Sequence, residues 1–146
     1  MQTNERRAGF LRVPYNIIYI TPKHHKSEME HSKELMNLAA DNIRILAASM
    51  VERAKSGHPG GAMGGADFIN VLYSEFLNFD PDCPTWACRD RFFLDPGHMS
   101  PMLYSQLALI GNYTIDDLKN FRQWGSCTPG HPEVCHARGI ENTSGP

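Results

Sequence analysis

The sequence predicts an α/β chain that is mostly helical with few strands, and three observations carry that expectation. A long run from Ser32 onward places apolar residues at the 3.6-residue period of a helix. Later runs do the same over shorter lengths, and one short aromatic stretch has the composition of a strand. A single strand has no partner and cannot make a sheet, so the expected fold is an incomplete one. The length of 146 residues is that of one ordinary domain.

Residues 1–31 are basic, rich in His and Tyr, and hold no helical period. They are expected to form a disordered or non-native N-terminal extension, with Met29 as an alternative start. The domain itself is expected over residues 32–146. In "SKELMNLAADNIRILAASMVERAKSG", Leu35, Leu38, Ala39, Ile43, Leu46, Ala47 and Met50 fall on one helical face. Ser32 is the expected N-cap, Arg53 and Lys55 suit the negative end of the helix dipole, and Gly57 offers a stop.

The Gly- and Pro-rich stretch "SGHPGGAMGG" reads as a loop leading into a second helical run, "ADFINVLYSEFLN", with Phe68, Leu72, Tyr73 and Phe76 on a shared face. A connection with prolines at 81 and 84 follows, and then the strand-type run "RFFL" at 91–94. Asp95 to His98 form a turn, and a helix starts near Ser100 or Pro101 and ends at Gly111. Thr114 and Asp117 have the spacing of a capping box, with Asp in place of the usual Glu. Beyond Trp124 there is no periodicity, and a stretch that long without an element is functional or disordered. The closing Gly145-Pro146 pair reads as a turn toward a further element, so residues 32–146 are expected to be a domain truncated at its C-terminus.

Composition narrows the function classes. A net charge of −2 offers no electrostatic footprint for nucleic acid or an anionic membrane. No apolar run reaches the length of a spanning helix. The twin arginine at Arg6 and Arg7 resembles an export signal only superficially, because Pro14, Tyr15 and Asn16 interrupt the apolar run and no cleavage site follows. A cytoplasmic location is the expectation, with Cys83, Cys88, Cys127 and Cys135 as reduced thiols.

One local theme recurs: "SGHPGG" at His58, "DPGHMS" at His98 and "TPGHPE" at His131. A glycine before a functional side chain lets backbone approach a ligand, and an imidazole exchanges protons near neutral pH. His98 lies just ahead of a predicted helix whose free N–H groups would favour a phosphate or diphosphate. A competing constellation is Cys127, His131, Cys135 and His136, which offers zinc-type ligands, although no Cys-x-x-Cys pair is present.

Together, "AKSGHPGGAMG", "RDRFFLDPGHMSPMLYS", "LKNFRQWGSCTPGHPE" and "GIENTSGP", spread from about Leu35 to Pro146, resemble the transketolases. These are thiamine diphosphate enzymes that transfer a two-carbon ketol unit from a ketose phosphate to an aldose phosphate. The resemblance implies the incomplete N-terminal part of a thiamine diphosphate-binding fold, on its diphosphate side. It gives His58 a catalytic role, facing substrate and moving protons, and places His98 on the cofactor diphosphate. It puts His131 on the hydroxyl groups of the donor sugar, and the Gly145 and Pro146 backbone beside the aminopyrimidine. Asp95-Pro96 replaces the Ser-Asn common in the family.

The family's magnesium motif, a Gly-Asp-Gly followed by an Asn, would fall after Pro146. No metal ligand is therefore implied within this chain, and the chain alone is expected to be inactive. The implied partners are sugar phosphates and the remainder of the enzyme or a homodimer partner. Two alternatives stand beside this reading: a noncatalytic remnant or interaction module, and another thiamine enzyme such as dihydroxyacetone synthase or phosphoketolase.

Overall fold

The computed structural model describes residues 33–145. Its longest element is α1, Lys33–Ala54, which buries Ala40, Ile43, Ala47 and Met50 at alternating spacings of three and four. The predicted face begins a turn too early. Leu35 and Leu38 are exposed at 36% and 42%, and the fully buried stripe starts only at Ala40. Ser32, the expected cap, lies outside the described residues. The C-terminal end is as expected: Lys55 (φ 50°) and Gly57 (φ 129°) turn the chain out of the helix. Arg53 Nε donates to the Lys119 carbonyl at 2.9 Å and ties this end to a distant segment.

The stretch read as a glycine loop is in part a helix, α2, Pro59–Gly64. Pro59 suits the first turn, where its missing N–H costs nothing. Glycine weakens a helix but lets it lie close to a neighbour: a Cβ at Gly61 would stand 3.0 Å from Met99 Cγ. Next comes α3, Ala66–Val71, running into one wide π-type turn over Leu72–Phe76. The buried stripe here is Ala66, Ile69, Asn70 and Tyr73. The predicted face is corrected accordingly, since Phe68 and Phe76 are 61% and 70% exposed. The stripe is offset by one residue from the expected one, and the wide turn, closed by Leu77 N–H to the Leu72 carbonyl, shifts Phe76 out of phase.

Residues 91–94 do not pair as a strand, and among the described residues there is no strand, only an isolated antiparallel bridge between Cys135 and Ile140. A side chain takes the place of the missing neighbour. The Leu94 N–H donates to Asn142 Oδ1 at 3.0 Å, and Asn142 Nδ2 donates back to the Leu94 carbonyl at 3.2 Å.

A 3₁₀ turn, Gly97–Met99, leads into α4, Ser100–Leu109. Every residue from Ser100 to Leu107 is buried, as suits a helix enclosed on all sides, and Gly111 (φ 93°) ends it as predicted. Then α5, Ile115–Lys119, opens with the predicted capping box: Asp117 N–H donates to Thr114 Oγ1, and Thr114 N–H donates to the Asp117 carboxylate. Helix α1 packs on α2, α3 and α4, and the core between them holds Ile43, Ala47, Ile69, Met102, Leu103, Leu107 and Phe121. The mostly helical character expected from periodicity is what the chain adopts. Beyond α5, a short 3₁₀ turn at His136–Arg138 is the one helical turn in the rest of the described chain.

Candidate functional site

His58 immediately precedes α2 in extended conformation (φ −124°, ψ 105°), and its side chain makes no capping bond. It is exposed, while His98, inside the 3₁₀ turn before α4, is half-buried. The two imidazoles meet edge to face, with ring centroids 5.2 Å apart and planes at 62°. Two residues forty positions apart thus face one another because α2 lies against Met99, the residue after His98.

The third histidine joins through the segment that follows α5. Ser144 N–H donates to the Pro132 carbonyl at 3.2 Å, which folds residues 143–145 back over His131. Gly145 has φ 93°, and a Cβ there would stand 2.5 Å from His131 Cγ, so only glycine fits. On the other side, a Cβ at Gly97 would stand 2.7 Å from the Ser144 carbonyl oxygen. His58, His98, Gly97, Ser144, Gly145 and His131 therefore form a contiguous chain of contacts. Pro146, the remaining predicted site residue, lies outside the described residues. Sequence reasoning missed Ser144, whose Oγ is buried with no hydrogen-bond partner. A small polar residue before Gly-Pro carried no periodic or spacing signal.

Polar contacts hold this segment in place. Arg89 donates to both Glu141 oxygens at 2.6 and 2.8 Å, and both side chains are only 5% exposed. His136 Nε2 stands 3.6 Å from the same carboxylate. Ser100 Oγ donates to the Gly130 carbonyl and Tyr104 O–H to the Pro129 carbonyl, at 2.6 and 3.0 Å.

Asp117 receives Thr114, the Cys127 thiol at 3.2 Å and Arg138 Nη1 at 3.2 Å. Partial burial works to raise the Asp117 carboxyl. The Thr114, Cys127 and Arg138 donors outweigh it and bring the group from 3.8 down to about 2. Burial, and then the bond to Asp117, push the Cys127 thiol up, so it stays a neutral donor.

These partners also disperse the zinc-type constellation. Cys127 is engaged with Asp117, His136 with Glu141, and Cys135 with Ile140 through its backbone. Among the described residues, no group of three or more His, Cys, Asp or Glu side chains comes together to hold a metal ion. No helix among them is long and apolar enough to cross a membrane.

Chemically, two imidazoles beside the N-terminus of α4 can donate to an anion, and the helix dipole adds to that field. Asp95, the nearest carboxylate in sequence, is exposed. A separate shallow concavity, lined by Tyr73, Phe79, Phe92, Arg89 and Glu141, includes no histidine.

Comparison with known proteins places the chain in a family. Residues 35–146 match the family described as transketolase, thiamine diphosphate binding domain. The chain is 52% identical over 119 residues to the transketolase of Geobacillus stearothermophilus, covering 81% of this chain and 18% of that protein. It is 50% identical over 119 residues to transketolase 1 of Escherichia coli K12, covering 81% and 17%.

Among solved structures, transketolase from Leishmania mexicana superposes with a TM-score of 0.72 at 46% identity, covering 76% of this chain and 17% of that one. The Campylobacter jejuni transketolase structure gives 0.73 at 43%, covering 80% and 18%. The chain thus spans under a fifth of the length of these relatives. With a family match across most of its length and relatives at half identity, this chain belongs to the transketolase thiamine diphosphate-binding domain family.

Proposed function

We propose that this chain forms the diphosphate side of a transketolase site, working in the transfer of a two-carbon ketol unit from a ketose phosphate to an aldose phosphate. The observation that carries the reading is the edge-to-face contact of His58 and His98 at the start of α4. The donor set fits an anionic group: two imidazoles, a helix N-terminus, and a close-packed Gly97–Ser144 contact with a buried hydroxyl left unpaired. When bound there, thiamine diphosphate supplies the nucleophilic carbon and the electron sink for carbon–carbon cleavage.

In this reading the chain's own residues have separate tasks. His98 donates to the diphosphate and fixes its place at α4. His58, exposed and free of capping duty, holds or accepts a proton of the sugar hydroxyl at the reacting centre. His131 hydrogen-bonds the donor sugar hydroxyls. The backbone at Gly145 and Pro146 approaches the aminopyrimidine. Magnesium is the expected counter-ion of the diphosphate. By the family resemblance its ligands belong to other parts of the enzyme. For the same reason the chain alone is expected to show no turnover. Sugar phosphates, the remainder of the enzyme or a homodimer partner, and a cytoplasmic location complete the proposal.

The test is a graft. Residues 35–145 replace the corresponding section of the Geobacillus transketolase, and ketol transfer and thiamine diphosphate affinity are both measured. Retained transfer supports the reading; a folded chimera that binds cofactor but transfers nothing supports a noncatalytic module instead. In an active chimera, His58→Ala should lower turnover by roughly 10²- to 10⁴-fold with cofactor affinity nearly unchanged. His98→Ala should chiefly weaken cofactor binding.

A further inference from the structure

We propose that Arg122 is a positioning residue, a strut that holds the His58 loop and the His131 loop at a set separation. The proposal rests on the reading above that both histidines serve one substrate. Arg122 follows α5, in a part of "LKNFRQWG" to which no role has been given. Its backbone sits at φ 61°, a left-handed conformation that a non-glycine residue adopts only when its surroundings impose it. The imposing contact is its N–H, which donates to the Thr128 carbonyl at 3.0 Å.

From that position the side chain reaches both histidine-bearing turns. Nη1 donates to Ser56 Oγ at 2.9 Å, two residues before His58. The guanidinium plane lies on Gly130, the residue before His131: a Cβ there would stand 2.7 Å from Nε, 3.0 Å from Cζ and 3.1 Å from Nη2. Gly130 is held on its other side by the Ser100 hydroxyl. The preceding Phe121 completes the wedge, because its ring lies 5.7 Å from the Arg122 Cζ and 3.4 Å from the Cβ position of Gly57.

Ser56 and Gly57 on one side, and Gly130 on the other, are thus spaced by one Phe-Arg pair. Nε is buried without a hydrogen-bond partner, so the group is placed by its shape more than by full pairing. A flat guanidinium fits a slot beside a glycine, whereas a lysine ammonium would neither fill the slot nor hold Ser56 from the same plane.

The test uses the full 146-residue chain. Arg122→Met keeps the side-chain stem, Arg122→Lys keeps the charge, and Ser56→Ala removes only an exposed hydroxyl. Imidazole NMR signals of His58, His98 and His131 are followed together with the melting temperature. Both Arg122 variants should move the His58 and His131 signals together and leave His98 less affected. Ser56→Ala should move His58, and should add nothing in the Arg122→Met background.

Additive effects of the Ser56 and Arg122 substitutions, or movement of only one of His58 and His131 in the Arg122 variants, overturn the strut. If Arg122→Met does not fold, unchanged His58 signals in Ser56→Ala overturn it equally. In the active graft, Arg122→Lys should lower turnover roughly 10- to 100-fold with thiamine diphosphate affinity retained. Moved signals with unaffected turnover would uphold the strut and overturn the shared-substrate reading, so the two ideas fail separately.

Discussion

The α1–α4 packing and the segment from 125 to 145 are built by different physics. In the first, periodic apolar side chains such as Ile43, Ala47, Met102 and Leu107 are buried against one another, and non-directional burial is the driving force. In the second, regular structure amounts to one isolated bridge and one 3₁₀ turn. Its course is set by side chains that hydrogen-bond particular backbone groups or each other: Tyr104, Ser100, Asn142 and the Arg89–Glu141 pair. The first region can absorb small changes in shape, whereas the second depends on directed contacts. The second carries His131 and Gly145, so the precision of the candidate site rests on polar bonds anchored in an apolar frame.

The largest effect is expected where that polar region is most buried. Arg89→Ala leaves the Glu141 carboxylate buried without its partner and should cost about 3–5 kcal/mol by denaturant unfolding. Replacing the pair by Met and Leu together should recover most of that loss. If it does not, the pair contributes more than charge compensation.

Ile43→Ala, in the wholly buried face of α1, should cost roughly 2–5 kcal/mol and lower protection from hydrogen exchange throughout the helices. If the contrast between regions holds, Arg89→Ala instead lowers protection first at the Cys135 and Ile140 amides.

Tyr104→Phe keeps the buried ring and removes only the bond to Pro129, at a cost of about 1 kcal/mol. An effect of similar size is expected at Asp117. Its carboxyl is held near 2 in the folded chain, below its ordinary value of 3.8. It therefore contributes stability that is fully present above about pH 4 and is lost as pH falls toward 2. Asp117→Asn should cost on the order of 1 kcal/mol at neutral pH and flatten that acid limb of the stability profile.

The difference between regions also separates what could be read in advance from what could not. The α1 period, the start of α4 near Ser100, its stop at Gly111 and the Thr114–Asp117 cap were all legible, because each depends on neighbours within four residues. The face of α3 was not: the stripe Ala66, Ile69, Asn70 and Tyr73 keeps helical spacing but leaves Phe68 outside, and only packing against α1 and α4 selects it. The "RFFL" run has strand composition, yet its backbone partner is the amide of Asn142, forty-eight positions from Leu94. The glycines of "GHPGGAMGG" signalled a loop, and their use in bringing α2 close to Met99 depends on a 3₁₀ turn that lies nearly forty residues further along the chain.

The sequence by itself determined the periods of α1 and α4, the stop of α4, the cap of α5, and the three histidines set behind glycines, because periodicity, capping and turn chemistry act locally along a chain. Only the tertiary structure decided that His58 meets His98, that Ser144 and Gly145 fit between Gly97 and His131, and that Arg122 lies between Ser56 and Gly130. Those contacts join residues tens of positions apart. Their distances depend on how closely whole elements pack, and no local pattern encodes that.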